Sequence, residues 1–217
     1  KSMDLSYKPS AMLLKLAGDE FKEIHTYQLG EILQTKSNGL IDEFISYAKQ
    51  NGGSLKISYQ DEHLKSIMGM MITIQTVWHI VKQIGSNFDI EFKVEAYRDD
   101  KGNANKICTN MPSSEVRDKW LTNFTNAWID DLKYDQNIEG HLLPVVSVPK
   151  RTLTHWRVLS ITCGNKKLSI YPDGGFINEW NIARQPNGER FEVETITYDT
   201  KIYLYRNKDI KFDIAIE

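Results

Sequence analysis

From Leu64 to Ile84 the chain carries a helical run that is apolar on almost every face. Positions 64, 67, 68, 71, 74, 78 and 81 form one stripe, and Met70, Ile72, Val77 and Ile80 widen it nearly all round. A helix at a surface keeps a polar side, so this one belongs between layers. It does not read as a membrane span, because Thr73, Gln75, Thr76 and His79 interrupt its most apolar stretch, Ile67 to Val81. Alternating runs flank it. Ser54 to Gln60 sets Leu55, Ile57 and Tyr59 against Lys56 and Ser58. Phe88 to Tyr97 sets Phe88, Ile90, Phe92 and Val94 against Asp89, Glu91, Lys93 and Glu95. A period of two marks strands. Strand, long helix, strand predicts a parallel pair with the helix packed on the sheet, since parallel strands need a crossover of this length.

Around this unit, Leu40 to Gln50 reads as a short helix with Ile41, Phe44, Ile45 and Ala48 on one face and Asn51-Gly-Gly53 as its stop. Pro112 opens a second long helix after a polar loop, with Val116, Trp120, Phe124, Ala127, Trp128 and Leu132 as its buried face. From Leu142 the pattern changes to β-type runs at 142–148, 156–162, 166–171, 193–198, 201–205 and 210–216. Gly164-Asn165, Asp173-Gly-Gly175, Asn187-Gly188 and Asn207-Lys-Asp209 punctuate them as turns. The expected fold is α/β: a mixed sheet with a parallel strand-helix-strand unit, flanking helices and an antiparallel, β-rich C-terminal third. Residues 1–39 read as an N-terminal arm, in which Leu13, Leu14 and Leu16 pack, and 40–217 as a single domain.

A chain of 217 residues with 41% apolar content can bury one sizeable core. Its net charge of -2 argues against a surface that neutralises many phosphates, though a net charge averages over faces and leaves room for a local basic patch. Cys108 and Cys163 sit far apart with no C-x-x-C or Cys/His grouping, the pattern of unpaired thiols in a reducing, cytoplasmic setting. A start at Lys1 and a final strand with no polar tail are expected of a piece of a longer protein. The remainder of that chain, or a complex, is then an expected partner.

The stretch with the look of a site is Thr154 to Trp180. His155 and Arg157 are two apart on a strand and share a face. An imidazole beside a guanidinium can act as nucleophile or acid with an anion clamp. Past the turn come Lys167, then Pro172-Asp-Gly-Gly175, then Asn178. Lys150, Arg151, Arg157, Lys166 and Lys167 would suit a phosphate-bearing partner if they share a face. The competing reading is a solvated sheet face with an ordinary turn. His63-Leu-Lys65 repeats the letters just past the first strand of the parallel pair. Strand carboxyl ends commonly hold ligands in α/β sheets, which makes Asp61 and His63 candidate site-lining groups. A metal-dependent alternative imitates the PD-(D/E)xK pattern, with Asp173 and Asp199 holding Mg²⁺, although acidic-x-Lys recurs along the chain. No P-loop, dinucleotide fingerprint, zinc site or nucleophile elbow occurs, so no cofactor is expected.

On these residues the chain resembles the phospholipase D-like superfamily and, more narrowly, the compact C-terminal domain of MIT-domain proteins. That superfamily carries H-x-K-x4-D, a Gly-Gly or Gly-Ser turn and an Asn. The resemblance implies His155 as a covalent nucleophile, Arg157 in the lysine's place, Gly174 and Gly175 as the turn, and Asn178 as a phosphate holder. Thr162 stands where the Asp is expected, and there is no second copy of the motif. The implied function is a degenerate, accessory binding module of a larger protein. Its ligand would be phosphate-bearing (a nucleic acid or a headgroup) or a protein partner. The alternative is an active metal-independent phosphodiesterase or nuclease completed by a homodimer, and the Mg²⁺-dependent nuclease is a third.

Overall fold

The computed structural model describes residues 11–16, 24–62, 64–97, 113–149, 151–153, 157–172, 180–182, 201–204 and 209–217. Its centre is the expected parallel unit. Strand β3 (Leu55–Asp61) pairs in parallel with β4 (Phe88–Glu95), joined by helix α3 (Ile67–Ile84). The helix begins three residues later than its apolar pattern. Ser66 takes extended backbone and its hydroxyl accepts from the Gly69 N–H at 3.1 Å, capping the helix. Leu64 is buried ahead of the cap. At the other end Gly85, at φ 75°, closes α3 through a hydrogen bond to the Val81 carbonyl.

The chain continues in the same direction across the sheet, from β4 through α4 (Ser114–Gln136) to the short parallel strand β5 (Gly140–Leu142). Two crossovers of one hand running one way put both helices on the same face. Accordingly, Trp78 of α3 meets Trp128 of α4 edge to face at 5.5 Å, and both helices border Phe88 and Ile90 of β4. The fully buried side chains of α4 are Arg117, Leu121, Thr125 and Leu132. Val116, Trp120, Phe124 and Trp128 are only half-buried beside them, and Ala127 is exposed. The aromatics had marked the expected face, but α4 sits near the sheet edge, where large rings reach the core from its flank. Past β5, Pro144 breaks what reads as one strand over 142–148, and pairing with β4 resumes only at β6 (Val146–Val148).

On the other side of β3 the sheet is antiparallel. Strands β7 (Val158–Cys163) and β8 (Lys166–Pro172) form a hairpin about Gly164-Asn165, with Gly164 at φ 58°. Strand β11 (Ile210–Ile216) pairs with β8, and β1 (Ala11–Leu16) pairs with β11. The order is β1-β11-β8-β7-β3-β4-β5, with β6 also on β4. Neither β1 nor helix α1 (Gln28–Lys36) is announced by periodicity. Helix α2 (Leu40–Asn51) buries Ile41, Phe44, Ile45 and Ala48 and stops at Gly52, as its letters predict. A separate three-stranded sheet joins β2 (Ile24–His25), β10 (Lys201–Leu204) and β9 (Trp180–Ile182). The run at 193–198 lies outside the described residues, as does Cys108; Cys163 is free and buried. Among the described residues no helix is long and apolar enough to cross a membrane.

Helices α1 and α3 pack closely enough that a Cβ on Gly30 would stand 2.7 Å from that of His79. Beside this contact the imidazole Nε2 lies 2.6 Å from the Gln34 Oε1, and the Gln83 amide also donates to that oxygen. An amide oxygen only accepts, so the neutral ring satisfies the pair by donating from Nε2. Burial lowers the His79 pKa below its usual 6.5. Lys82 adds to the shift, while Glu31 and Asp42 oppose it. A depressed histidine is charged more readily in the unfolded chain. Its contribution is therefore complete above pH 6.5 and is lost as pH falls below that value. Urea midpoints are expected to fall more steeply from pH 7 to 5 in the natural protein than in His79→Gln. Parallel curves would show that His79 is not responsible.

Candidate functional site

At the carboxyl ends of β3 and β4 the apolar core gives way to buried charge. Along β3, Leu55, Ile57, Tyr59 and Asp61 share the face toward the helices, so alternation alone carries an acid into the interior. Asp61 is fully buried. The Tyr59 hydroxyl donates to its Oδ2 at 2.7 Å, and the Arg157 Nε donates to its Oδ1 at 3.3 Å. Burial first, and the Asp61 charge second, hold the Tyr59 hydroxyl protonated well above its usual range. Arg157 reaches Asp61 because it lies just before β7, whose Val158 pairs with Gln60 of β3. The Arg157 side chain is 14% exposed. Among the described residues no group pairs with its two terminal nitrogens. It is therefore held by Nε, with the donor pair of its fork unengaged by the described residues.

Next door, β4 ends at Glu95, and beyond it Tyr97 is fixed by its backbone to Ser114 at the start of α4. Arg117 of α4 is completely buried. It donates from Nη1 to the Glu95 carbonyl at 2.6 Å, from Nε to Asp118 at 2.8 Å, and weakly from Nη2 to Ser147 of β6. The Glu95 carboxylate accepts from the Leu153 N–H at 3.3 Å. The Tyr97 ring receives two cations, the Arg117 guanidinium at 5.1 Å and the Lys65 ammonium at 4.9 Å. The carboxylates Asp61 and Glu95 are thus engaged by neighbours within the protein, whereas Arg157 and Lys65 still have donors to offer.

Of the residues flagged by sequence, His63, His155, Asp173, Gly174, Gly175, Asn178 and Asp199 lie outside the described residues. Arg157 and Asp61 are brought together although 96 positions separate them. Lys167 is not brought to them. It pairs in register with Thr162, five positions along β7 from Arg157, or roughly 17 Å at the usual rise per residue. Its ammonium bonds Glu217 at 2.8 Å, a contact that raises its pKa. Sequence reasoning passed over Tyr59, Tyr97 and Arg117. The one available signal was Arg117 itself, a charge one helical turn before Leu121 on a buried stripe. Among the described residues no group of three or more His, Cys, Asp or Glu could hold a metal ion.

A family model described as the C-terminal domain of the DEAD/DEAH box helicase YjiV matches residues 21–210. Comparison with curated proteins finds no match. The family match spans most of the chain and overturns the resemblance to the phospholipase D-like superfamily and the MIT-domain proteins, together with the nuclease-like reading attached to it. The resemblance rested on one short motif, His155 and Arg157 with the Gly174-Gly175 turn and Asn178, and on an element order. Strand-helix-strand followed by a hairpin satisfies the crossover rules in many unrelated α/β domains, so that order is weak evidence of descent.

Proposed function

From the premise that the chain belongs to the family of the C-terminal domain of the DEAD/DEAH box helicase YjiV, an accessory module of a larger helicase-like protein, we propose that it binds a phosphate-bearing ligand at Arg157, nucleic acid being the class. The observation that carries this reading is the fork of Arg157, unengaged by the described residues and backed by the buried Asp61. Arginine recognises phosphate through two parallel N–H donors. A guanidinium anchored by Nε has less side-chain freedom to lose on binding than a free surface arginine. The overall charge of -2 supplies no broad attraction, so recognition is local and the affinity modest.

Arg157→Gln is expected to weaken binding of a labelled single-stranded oligonucleotide about tenfold by fluorescence anisotropy, and inorganic phosphate similarly by NMR titration. Arg157→Lys keeps a cation near Asp61 without the fork, and should recover folding but only part of the binding. If Arg157→Glu folds and leaves both ligands bound as before, the site is elsewhere.

A further inference from the structure

Arg157 is matched by a second cation held in the same way. Lys65 lies past the end of β3, half-buried, with its ammonium 4.9 Å over the Tyr97 ring. Among the described residues that ring is the one group its ammonium engages, and no carboxylate among them pairs with it. A cation–π contact engages the charge of an ammonium while leaving N–H donors on the side away from the ring. Tyr97 cannot swing away readily, because Ser114 accepts from its backbone N–H and donates to its carbonyl. Both cations are therefore positioned from one side, with N–H donors that no described residue engages.

The sheet brings the backbones that carry them to one edge. Arg157 enters from the β7 side of β3 and Tyr97 leaves from β4 on the other side, while Asp61 and Val94 are register partners at this edge. Two strand spacings of about 4.8 Å, on the order of 10 Å, separate the flanking backbones at this edge. Among the described residues the opposing charges here are Asp61, Glu62, Glu95 and Asp118. Asp61 and Glu95 accept internal hydrogen bonds, Asp118 pairs with Arg117, and Glu62 is buried and partnered.

We infer that the Arg157 site continues to Lys65 and takes a ligand with two phosphate groups, one at each cation. The inference rests on the Arg157 reading above. Two neighbouring phosphates of a nucleic-acid strand and the linked pair of a diphosphate share this chemistry. The probes that separate them are inorganic phosphate, pyrophosphate and a short single-stranded oligonucleotide, each titrated into the full 217-residue chain.

Lys65→Gln is expected to weaken the two-phosphate ligand about tenfold and inorganic phosphate no more than about twofold. Arg157→Gln should weaken every probe that binds. For a single strand the log–log salt slope should be roughly −1.4, and each substitution should reduce its magnitude by about 0.7. A response of the oligonucleotide alone identifies a strand, and a response of pyrophosphate alone identifies a diphosphate. If Lys65→Gln melts like the natural protein and changes neither ligand, the two-phosphate inference falls while the Arg157 reading stands. If Arg157→Gln also changes nothing, both fall.

Discussion

Asp61→Ala is expected to lower the unfolding free energy by about 3–5 kcal/mol, the range for removing one partner of a buried ion pair. Asp61 is fully buried, accepts from Tyr59 at 2.7 Å and from Arg157 at 3.3 Å, and has further contacts besides. Alanine would leave the Tyr59 hydroxyl without this acceptor inside the core and the Arg157 guanidinium without its counter-charge. Asp61→Asn keeps the shape and an acceptor oxygen, and should cost about 1–2 kcal/mol. Urea titration of the three proteins tests this. Equal losses in the two variants would mean that the charge, which both remove, and not packing, is what Asp61 contributes. A loss in the alanine variant below about 1 kcal/mol would mean that the pair is incidental to the fold.

A similar loss, about 3–5 kcal/mol, is expected for Arg117→Ala, for a different reason. Arg117 is completely buried and ties three elements: α4, the end of β4 through the Glu95 carbonyl, and β6 through Ser147. Its removal opens a void and leaves a strand-end carbonyl without this donor. Arg117→Met fills much of the volume with an unbranched chain and should recover part of the loss. Ser147→Ala, which deletes the weakest of the three bonds, should cost less than about 1 kcal/mol. Amide exchange adds a local test. The edge strands β5 and β6 are expected to lose protection in Arg117→Ala before β7 and β8 do, because Arg117 tethers that edge alone. Uniform loss across the sheet would show that it acts through global stability.

How much of this could be read in advance depended on the range of the force involved. The β3-α3-β4 unit was legible because burial leaves a periodic trace. Alternate residues of β3 and β4 face the helices, and α3 is buried nearly all round. The stops at Gly52, Gly85 and Gly164 were legible because a positive φ favours glycine. Strand β1 was not, since its pairing partner β11 lies about two hundred positions away and nothing local announces it. On α4, an arginine at the start of a buried stripe defeated a reading that sought apolar letters. The candidate site was half legible. Arg157 was singled out as an anion clamp, and Asp61 as a group at a strand's carboxyl end, but nothing in the letters joined them.

By itself, the sequence determined that this is an α/β domain built on a parallel crossover, because side-chain period and turn chemistry act over a few residues. Only the tertiary structure decided that Arg157 leans on Asp61 and that Lys65 rests on Tyr97. Those contacts depend on which strands become neighbours. A charge that looks solvated along the chain becomes a positioned donor once an acid or a ring from a distant element is packed behind it.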